Sequence, residues 1–267
     1  MAGVPDAAAA RDLPDWLWAR FEVSLGATAE AAAAALRLRA PIMLRVNARR
    51  ATREAARARL ATEGIVAQAV DITKTALQVL EGERKITTSQ CYAEGWVELQ
   101  DGSSQAAMEA LEVPEGARVL DYCAGGGGKA LALAARVDGA FFAHDVATRR
   151  MRDLPLRAAR AGAEVCLVTQ PEGLFDVVLC DAPCSGSGTW RRSPEAKWAL
   201  TPTRLTELTE IQRQILSEAA SLIALGGLLA YATCSVLKEE NQEVINRFLR
   251  ENPEWVLRDA RHWPISE

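Results

Sequence analysis

Apolar positions in the first third of the chain recur at spacings that predict short, mixed elements. Trp16, Leu17, Phe21 and Leu25 follow helical spacing and precede an alanine run, which predicts, over roughly 13 to 35, a helix followed by a helix-prone or loosely ordered stretch. Strands are predicted next at 42–46, 65–70 and 76–80, with a helix at 52–63 that Gly64 ends. This alternation indicates a small α/β module.

From about residue 106 the pattern changes to repeats of strand, glycine turn and helix. Strands are predicted at 118–122, 140–144 and 175–180, and helices at 129–136 and 151–161. Strands that alternate with helices indicate βαβ units and a parallel sheet covered on both faces. We therefore predict an α/β fold with a Rossmann-like, doubly wound sheet in residues 106–267 and a smaller N-terminal α/β module within residues 1–105.

The clearest local prediction is a long helix in the last third of the chain. Thr201 suits its N-cap and Pro202 its first position. One apolar face is formed by Leu205, Leu208, Ile211, Ile215, Leu216, Ala219 and Leu222. Gly226-Gly227 is expected to end this helix, with a strand at 228–233 and a further helix at 239–250 after it.

Composition narrows the class of protein. At 267 residues and 49% hydrophobic content, the chain can bury one full core and part of a second. No run of about 18 apolar residues occurs, and residues 1–13 lack the apolar region of a secretory signal. We expect a cytoplasmic protein without a membrane partner.

The six cysteines form no CxxC pair and no zinc-type cluster, so free thiols and no metal are expected.

Basic residues are unevenly spread, although the net charge is only −4. Eight arginines and a single acid, Glu54, lie between Arg37 and Arg59. Such a strip can neutralise a nucleic-acid backbone, but a solvated helix face has the same composition. Composition alone does not choose between these interpretations.

A glycine-rich segment, Asp121 to Lys129, follows a predicted strand and opens a predicted helix. Its four consecutive glycines let a ligand approach the backbone, and the lack of Ser or Thr after Lys129 excludes a P-loop. Asp145 lies 24 residues after Asp121, at the end of the next strand, where an acid can bind ribose hydroxyls. These features favour a nucleoside-bearing cofactor. A purely structural turn and a helix cap at Asp145 are the alternatives.

Two further strand ends carry a thiol each. Asp181-Ala182-Pro183-Cys184 follows the strand at 175–180, and Thr233-Cys234-Ser235 closes the strand at 228–233. A cysteine at a strand end is usually a buried apolar residue. Two of them at the same edge of one sheet, beside a glycine turn, favour a site over packing.

With these motifs the chain resembles the RsmB/Nop/Sun-type RNA cytosine-5 methyltransferases, and most closely their bacterial ribosomal-RNA members. The paired Asp-Ala-Pro-Cys and Thr-Cys-Ser motifs are highly specific to that family. The resemblance extends over nearly the whole chain, through Pro14-Asp15-Trp16-Leu17, Arg45-Val46-Asn47, Gln100-Asp101-Gly102-Ser103-Ser104-Gln105 and Trp190-Arg191-Arg192-Ser193-Pro194-Glu195-Ala196-Lys197-Trp198.

The resemblance implies S-adenosylmethionine-dependent methylation of carbon 5 of cytosine in RNA, with ribosomal RNA as the expected partner. It makes Cys234 the nucleophile that attacks carbon 6 of the base, Asp181 the acid that holds or protonates the ring nitrogen, and Cys184 the thiol that assists release. We expect a monomer. The implied cofactor-binding residues are Cys123, Ala124, Gly125, Gly126, Gly127, Gly128, Lys129, Asp145 and Asp181.

Three features depart from the family pattern. Gly126 stands where the family commonly has proline. Thr169-Gln170-Pro171 stands where the family usually has an acid for the adenine end of the cofactor. The family also continues through another strand hairpin beyond the position of Glu267.

Other functions stay open at this point. The same motifs serve transfer-RNA methylation, and an inactive RNA-binding scaffold could retain the fold. Methyltransferases that act on proteins or small molecules need neither the second strand-end thiol nor the arginine strip. DNA cytosine-5 enzymes place the nucleophile in the Pro-Cys motif, so the additional Thr-Cys motif disfavours them.

Two geometric hypotheses follow from the sequence. The glycine turn, Asp145, Asp181 and Cys234 are expected to line one cleft. The arginines between residues 37 and 59 are expected to guide RNA there, with stacking by Trp190 or Trp198.

Overall fold

The computed structural model describes residues 11–263. Its first elements are two helices, α1 (Asp15–Leu25) and α2 (Ala29–Leu36), joined by a 3-10 turn at Gly26–Thr28. The predicted first helix is therefore confirmed, and the alanine run, for which a helix-prone or loosely ordered stretch was predicted, is helical in α2. The expectations for residues 1–10 and for the end of the chain lie outside the described residues.

A four-stranded antiparallel sheet follows, in the spatial order β2-β3-β1-β4. Its elements are β1 (Ile42–Val46), α3 (Arg53–Thr62), β2 (Val66–Ala69), β3 (Ala76–Glu81), α4 (Gln90–Ala93) and β4 (Val97–Leu99). Thr52 caps α3, because its hydroxyl accepts a hydrogen bond from the Ala55 amide. Leu44 lies opposite Leu77 in the sheet, and both are fully buried. The predicted α/β module is confirmed.

A second, five-stranded sheet has the order β7-β6-β5-β8-β9. Its elements, with the preceding helix, are α5 (Gly102–Ala110), β5 (Ala117–Asp121), α6 (Gly128–Ala134), β6 (Gly139–Ala143), α7 (Leu154–Ala161), β7 (Val165–Leu167), β8 (Phe175–Asp181) and β9 (Ile223–Ala232). β5 pairs in parallel with β6 and β8, and β6 with β7. The amide of Phe175 bonds to the Leu222 oxygen and that of Ala182 to the Ala232 oxygen, so β9 also runs parallel to β8. The predicted Rossmann-like sheet is confirmed.

Further helices are α8 (Ala196–Ala199), α9 (Pro202–Ala220) and α10 (Gln242–Glu251). α9 is the predicted long helix. The Thr201 hydroxyl accepts a hydrogen bond from the Arg204 amide at 3.1 Å, so the predicted N-cap is confirmed.

The predicted end of α9 is wrong. The helix ends at Ala220 and β9 begins at Ile223, so Gly226-Gly227 lies inside a strand. Gly226 has φ +78°, a conformation that glycine adopts at bulges. A Cβ at Gly227 would come within 2.9 Å of the Asp176 backbone oxygen in β8. The glycine pair therefore permits the close approach of two strands and does not end the helix.

The described chain forms two compact units. One comprises residues 41–181 and 219–230 and contains nearly all of both sheets. The other comprises, of the described residues, 11–40, 182–218 and 231–263, and its core includes Phe21, Trp190 and Leu237. Neither unit begins or ends at the boundary predicted between residues 105 and 106, and a two-domain division there stays a prediction. Within residues 11–263, no helix is long and apolar enough to cross a membrane.

Candidate active site

The glycine-rich turn connects β5 to α6. Gly125 and Gly127 have positive φ angles of +51° and +75°, a region that favours glycine over residues with a Cβ. A Cβ at Gly127 would lie 2.2 Å from a side-chain atom of Leu154, so this position has no room for a side chain. The Gly127 amide closes the turn on the Ala124 oxygen at 2.7 Å. Backbone conformation and packing therefore require glycine at these two positions.

Asp145 is buried beside this turn and is already engaged in several bonds. Its Oδ2 accepts a hydrogen bond from the Gly125 amide at 2.9 Å, and its Oδ1 accepts one from the Ala147 amide at 2.9 Å. Arg150 adds an ion pair to Oδ2 at 3.0 Å. Asp145 thus stabilises the local turn, but it does not cap the following 3-10 helix (Thr148–Met151), whose N-cap residue is Ala147 and has no side-chain cap hydrogen bond. A carboxylate oxygen has two lone pairs, so Oδ1 can still accept from a ligand.

Asp121, the last residue of β5, is a site residue that the sequence prediction missed. It is 2% exposed, and its Oδ2 accepts a hydrogen bond from the Ala130 amide at 3.2 Å. Its Oδ1 is buried without a hydrogen-bond partner in the described chain. Burial, and then the charge of nearby Asp181, raises the pKa of Asp121 to about 7. An orphaned buried acceptor of this kind suits a ligand that donates hydrogen bonds.

Lys129 and Asp181, both assigned to the site from sequence, form an ion pair. The Lys129 Nζ donates to the Asp181 Oδ2 at 2.5 Å. The two side chains are 14% and 33% exposed, respectively. The contact holds the Asp181 carboxylate in one orientation at the end of β8 and leaves part of it accessible.

Cys184 and Cys234 lie in contact, with 3.3 Å between their Sγ atoms. Cys184 is partly buried, whereas Cys234 is exposed. The hydrogen bond with Cys234, followed by burial, raises the pKa of Cys184 well above its ordinary value. One thiol is therefore accessible to a substrate, while its partner holds its proton tightly. This arrangement suits one attacking thiol and one proton-transferring thiol.

A buried hydrogen-bond network holds the loop that carries Cys184, and the sequence prediction missed it. Glu240 is fully buried and accepts hydrogen bonds from the Ser185 amide at 2.8 Å and from Gln212 Nε2 at 3.1 Å. The segment Lys238-Glu239-Glu240-Asn241, which follows the Thr-Cys motif, contained the only signal. The sequence could not distinguish the fully buried acid from its partly exposed neighbours, because burial depends on the tertiary fold.

The remaining buried cysteines are poorly suited to nucleophilic chemistry. Burial raises the pKa of Cys123 to about 12 and that of Cys91 to about 11, and it also raises the pKa of Cys180. A thiol that keeps its proton is a weak nucleophile. Within residues 11–263, no group of three or more His, Cys, Asp or Glu side chains is arranged to hold a metal ion.

Two arginines of the predicted RNA-guiding strip contact the helix that follows the glycine turn. Arg45 is 6% exposed and donates to the Gly128 oxygen at 2.9 Å and to Gln100 Oε1 at 2.6 Å. Burial lowers the pKa of Arg45 to about 10. Arg49 donates to the Ala134 oxygen at 2.6 Å. Both ends of α6 are thus bonded to arginines of the first module.

Two more arginines of the strip bond within the first module. Arg53 donates to the Val70 oxygen at 3.3 Å, and Arg59 donates to the Glu94 carboxylate at 2.6 Å. The prediction that the whole strip guides RNA is therefore corrected, because four of its guanidinium groups bond to the protein itself. Arg57 remains exposed.

Of the two tryptophans predicted to stack on RNA, one is in the core. Trp190 is 1% exposed, stacks on Phe21 with ring centroids 5.8 Å apart, and donates through Nε1 to the Ser185 oxygen at 3.0 Å. A fully buried ring cannot stack on a base, so the prediction is wrong for Trp190. Trp198 is 51% exposed and remains available.

Comparison with protein families gives two matches along the chain. A family model described as 16S rRNA methyltransferase RsmB/F matches residues 108–264. A second model, described as the ferredoxin-like domain of RsmF/B-like methyltransferases, matches residues 13–87. The strand order of the first sheet and the parallel order of the second agree with these two assignments.

Individual relatives support the same assignment. The chain is 36% identical to ribosomal RNA small subunit methyltransferase B of Sodalis glossinidius over 92% of its own length and 59% of the relative's. It is 32% identical to the probable ribosomal RNA small subunit methyltransferase B of Bacillus subtilis over 91% of its own length and 57% of the relative's. The chain thus spans less than two thirds of the relatives that it matches.

Two solved structures share the fold. A methyltransferase homologue from Pyrococcus horikoshii superposes with a TM-score of 0.78 at 27% identity, covering 92% of this chain and 81% of that one. NSun6 from Pyrococcus horikoshii with SFG superposes with a TM-score of 0.79 at 18% identity, covering 90% of this chain and 88% of that one. The second likeness concerns the fold alone.

Proposed function

The chain belongs to the RsmB/F family of 16S rRNA methyltransferases, and on that premise we propose that it methylates carbon 5 of a cytosine in RNA with S-adenosylmethionine as methyl donor. The observation that carries the proposal is the thiol pair. Cys234 is exposed and lies 3.3 Å from Cys184. A reaction that needs one attacking thiol and one proton-transferring thiol accounts for this pairing better than packing does.

The residues around the glycine turn fit the proposed cofactor. The orphaned Oδ1 of Asp121 would accept from the ammonium group of its methionine part. Asp145 would bind the ribose hydroxyls through Oδ1, since Oδ2 is shared by Gly125 and Arg150. Gly125 and Gly127 would let the ligand approach the backbone. S-Adenosylmethionine, when bound, supplies an electrophilic methyl group.

The thiols would act in sequence on the base. The Cys234 sulfur forms a bond to carbon 6 of cytosine, and the π electrons of the C5–C6 double bond move to carbon 5, which takes the methyl group. Asp181 donates a proton to the ring nitrogen from the carboxyl oxygen that Lys129 does not hold, and so neutralises the negative charge that develops there. Carbon 5 then loses its proton to solvent, the electrons of that C–H bond form the C5–C6 double bond again, and the electron pair of the C6–S bond leaves with the Cys234 sulfur. Cys184 donates its proton to the departing sulfur and regains one from solvent.

Ribosomal RNA is the proposed substrate, because the relatives named above are ribosomal RNA methyltransferases. RNA contact is assigned to exposed groups, namely Trp198 and Arg57. Arg45 and Arg49 are excluded from this assignment, since both bond to α6.

Methyl transfer from labelled S-adenosylmethionine tests the proposal directly. Purified protein is incubated with 16S rRNA and with bulk transfer RNA, and the modified nucleoside is identified by mass spectrometry. Label in 5-methylcytosine of ribosomal RNA is the expected result. Label in transfer RNA would instead identify transfer RNA as the substrate. Binding of RNA and cofactor without transfer would favour a scaffold. Bisulfite sequencing of RNA from a deletion strain then identifies the cytosine.

A further inference from the structure

Glu240 is the central acceptor of the loop that carries Cys184. Its Oε1 accepts from the Ser185 amide at 2.8 Å, and its Oε2 accepts from the Ser185 hydroxyl at 2.5 Å. Gln212 Nε2 bonds to Glu240 Oε1 at 3.1 Å and also to the Pro183 oxygen at 2.9 Å. Of the two residues that flank Cys184, Ser185 is therefore bonded directly to Glu240, and Pro183 is linked to Glu240 through the side chain of Gln212. Glu240 and Gln212 are both 0% exposed.

The same network reaches the loop that carries Cys234. The Ser185 hydroxyl, which donates to Glu240, lies 3.4 Å from Ser235 Oγ. Ser235 follows Cys234 directly, and its hydroxyl is also 2.9 Å from Ser187 Oγ. The Gly188 amide donates to the Cys234 oxygen at 2.9 Å. Hydrogen bonds thus connect the two thiol loops on both sides of the pair.

We infer that Glu240 is a positioning residue that holds Cys184 and Cys234 at reacting distance. This inference deepens the proposed function and rests on it. The geometry supports the role because a buried carboxylate requires several donors, and here two of the three donors come from Ser185 in the Cys184 loop. The charge of Glu240 also contributes to the raised pKa of Cys184, which keeps that thiol protonated for the return step.

The distance between the thiols can be measured without any methyl transfer. In a glutathione buffer one thiol attacks oxidised glutathione and releases one reduced glutathione. The other thiol then displaces the second, so two thiols and one oxidised glutathione give one disulfide and two reduced glutathiones. Peptide mapping of the full chain quantifies the disulfide that joins Cys184 to Cys234. Its dependence on the glutathione ratio gives the effective concentration of one thiol at the other.

Glu240→Gln should lower this effective concentration about tenfold. The substitution replaces one acceptor oxygen by an NH2 group, and this donor would face the donors of Gln212 or Ser185. Glu239→Gln is the matched control. Glu239 is the neighbouring acid, is paired with Arg20 at 3.2 Å and is partly exposed, and its substitution should leave the effective concentration unchanged.

The same variants decide whether the positioning role stands. If Glu240→Gln does not fold, Ser185→Ala removes the hydroxyl that links Glu240 to Ser235 and should give a smaller loss. An unchanged effective concentration in every variant that folds would overturn the inference, and so would an equal loss in Glu239→Gln.

Methyl transfer is measured in parallel. A wild-type protein that does not methylate RNA but shows Glu240-dependent thiol proximity refutes the proposed function alone. Full activity with thiol proximity independent of Glu240 refutes the positioning role alone.

Discussion

The guanidinium of Arg45 in β1 donates a hydrogen bond to the backbone oxygen of Gly128, at 2.9 Å. Gly128 is the first residue of α6 and the last glycine of the cofactor turn. The bond therefore joins a strand of the first module to the proposed cofactor site. Arg157, on α7, donates to the Gly126 oxygen in the same turn. Two arginines thus hold carbonyl groups of the glycine turn, which is the proposed cofactor-binding segment.

This relationship predicts that Arg45 serves the fold and the cofactor site. Arg45→Met removes the donor to Gln100 Oε1 and one of two side-chain donors to the Gly128 oxygen, which keeps its bond from Gln100 Nε2. The loss should cost about 1–3 kcal/mol of unfolding free energy and weaken cofactor binding. Arg57→Met changes an exposed arginine of the same strip and should stay within about 0.5 kcal/mol of wild type. Denaturant unfolding and calorimetric titration with S-adenosylmethionine measure both effects. Weaker RNA binding in Arg45→Met with unchanged stability and cofactor affinity would contradict the prediction.

Substitution of the two thiols separates their roles. Cys234→Ala should abolish methylation and form no covalent complex, because the attacking sulfur is lost. Cys184→Ala should accumulate as a covalent RNA adduct, visible as a denaturation-resistant band, because attack is retained while release slows. The band should vanish in the double variant. Cys166→Ala removes another exposed cysteine and should behave as wild type. The opposite pattern, an adduct in Cys234→Ala only, would make Cys184 the nucleophile.

Asp121 predicts a pH dependence of stability. Burial raises its pKa from 3.8 to about 7 in the folded protein, so the unfolded chain releases this proton first as the pH rises. Its contribution to stability is fully present below about pH 4 and is lost as the pH rises through 7. Asp121→Asn cannot ionise, and at pH 8 it should be more stable than wild type by roughly 1–4 kcal/mol. The difference should disappear near pH 4.

Denaturant unfolding at several pH values measures this effect. Asp153→Asn, at an exposed acid that forms an ion pair with exposed Arg152, is the control. A constant difference between wild type and Asp121→Asn across the pH range would disprove a raised pKa. Because Asp121 is the proposed partner of the cofactor ammonium group, the same substitution should weaken S-adenosylmethionine binding at pH 8 although it stabilises the fold.

The two tryptophans should respond in opposite ways. Trp190→Leu removes a core ring and its hydrogen bond to Ser185, which should cost several kcal/mol of unfolding free energy. Trp198→Ala should leave stability nearly unchanged and weaken RNA binding by about 1–3 kcal/mol, the usual loss of one base–aromatic stack. Thermal unfolding and RNA binding at two salt concentrations distinguish the two effects. RNA affinity unchanged by Trp198→Ala would remove that residue from the proposed interface.

The sequence predicted those features that depend on local chemistry. Helical spacing in 13–35, the Thr201 cap and the glycine turn before Lys129 each follow from interactions within a few residues. Strand and helix alternation then restricts the topology, because parallel strands need crossover helices. The motif cysteines were also identified from sequence, since a thiol pair in that context has few other uses.

The tertiary structure decided everything that depends on burial and on contacts between distant segments. Cys184 and Cys234 are 50 residues apart in sequence and meet at 3.3 Å. Glu240 and exposed Glu243 look equivalent in the sequence, yet only Glu240 is buried against the Cys184 loop. Arg45 and Trp190, predicted to face RNA, are in the interior. Residue type determines what a side chain can do, but its solvent exposure and partners are set by the packing of segments far apart along the chain.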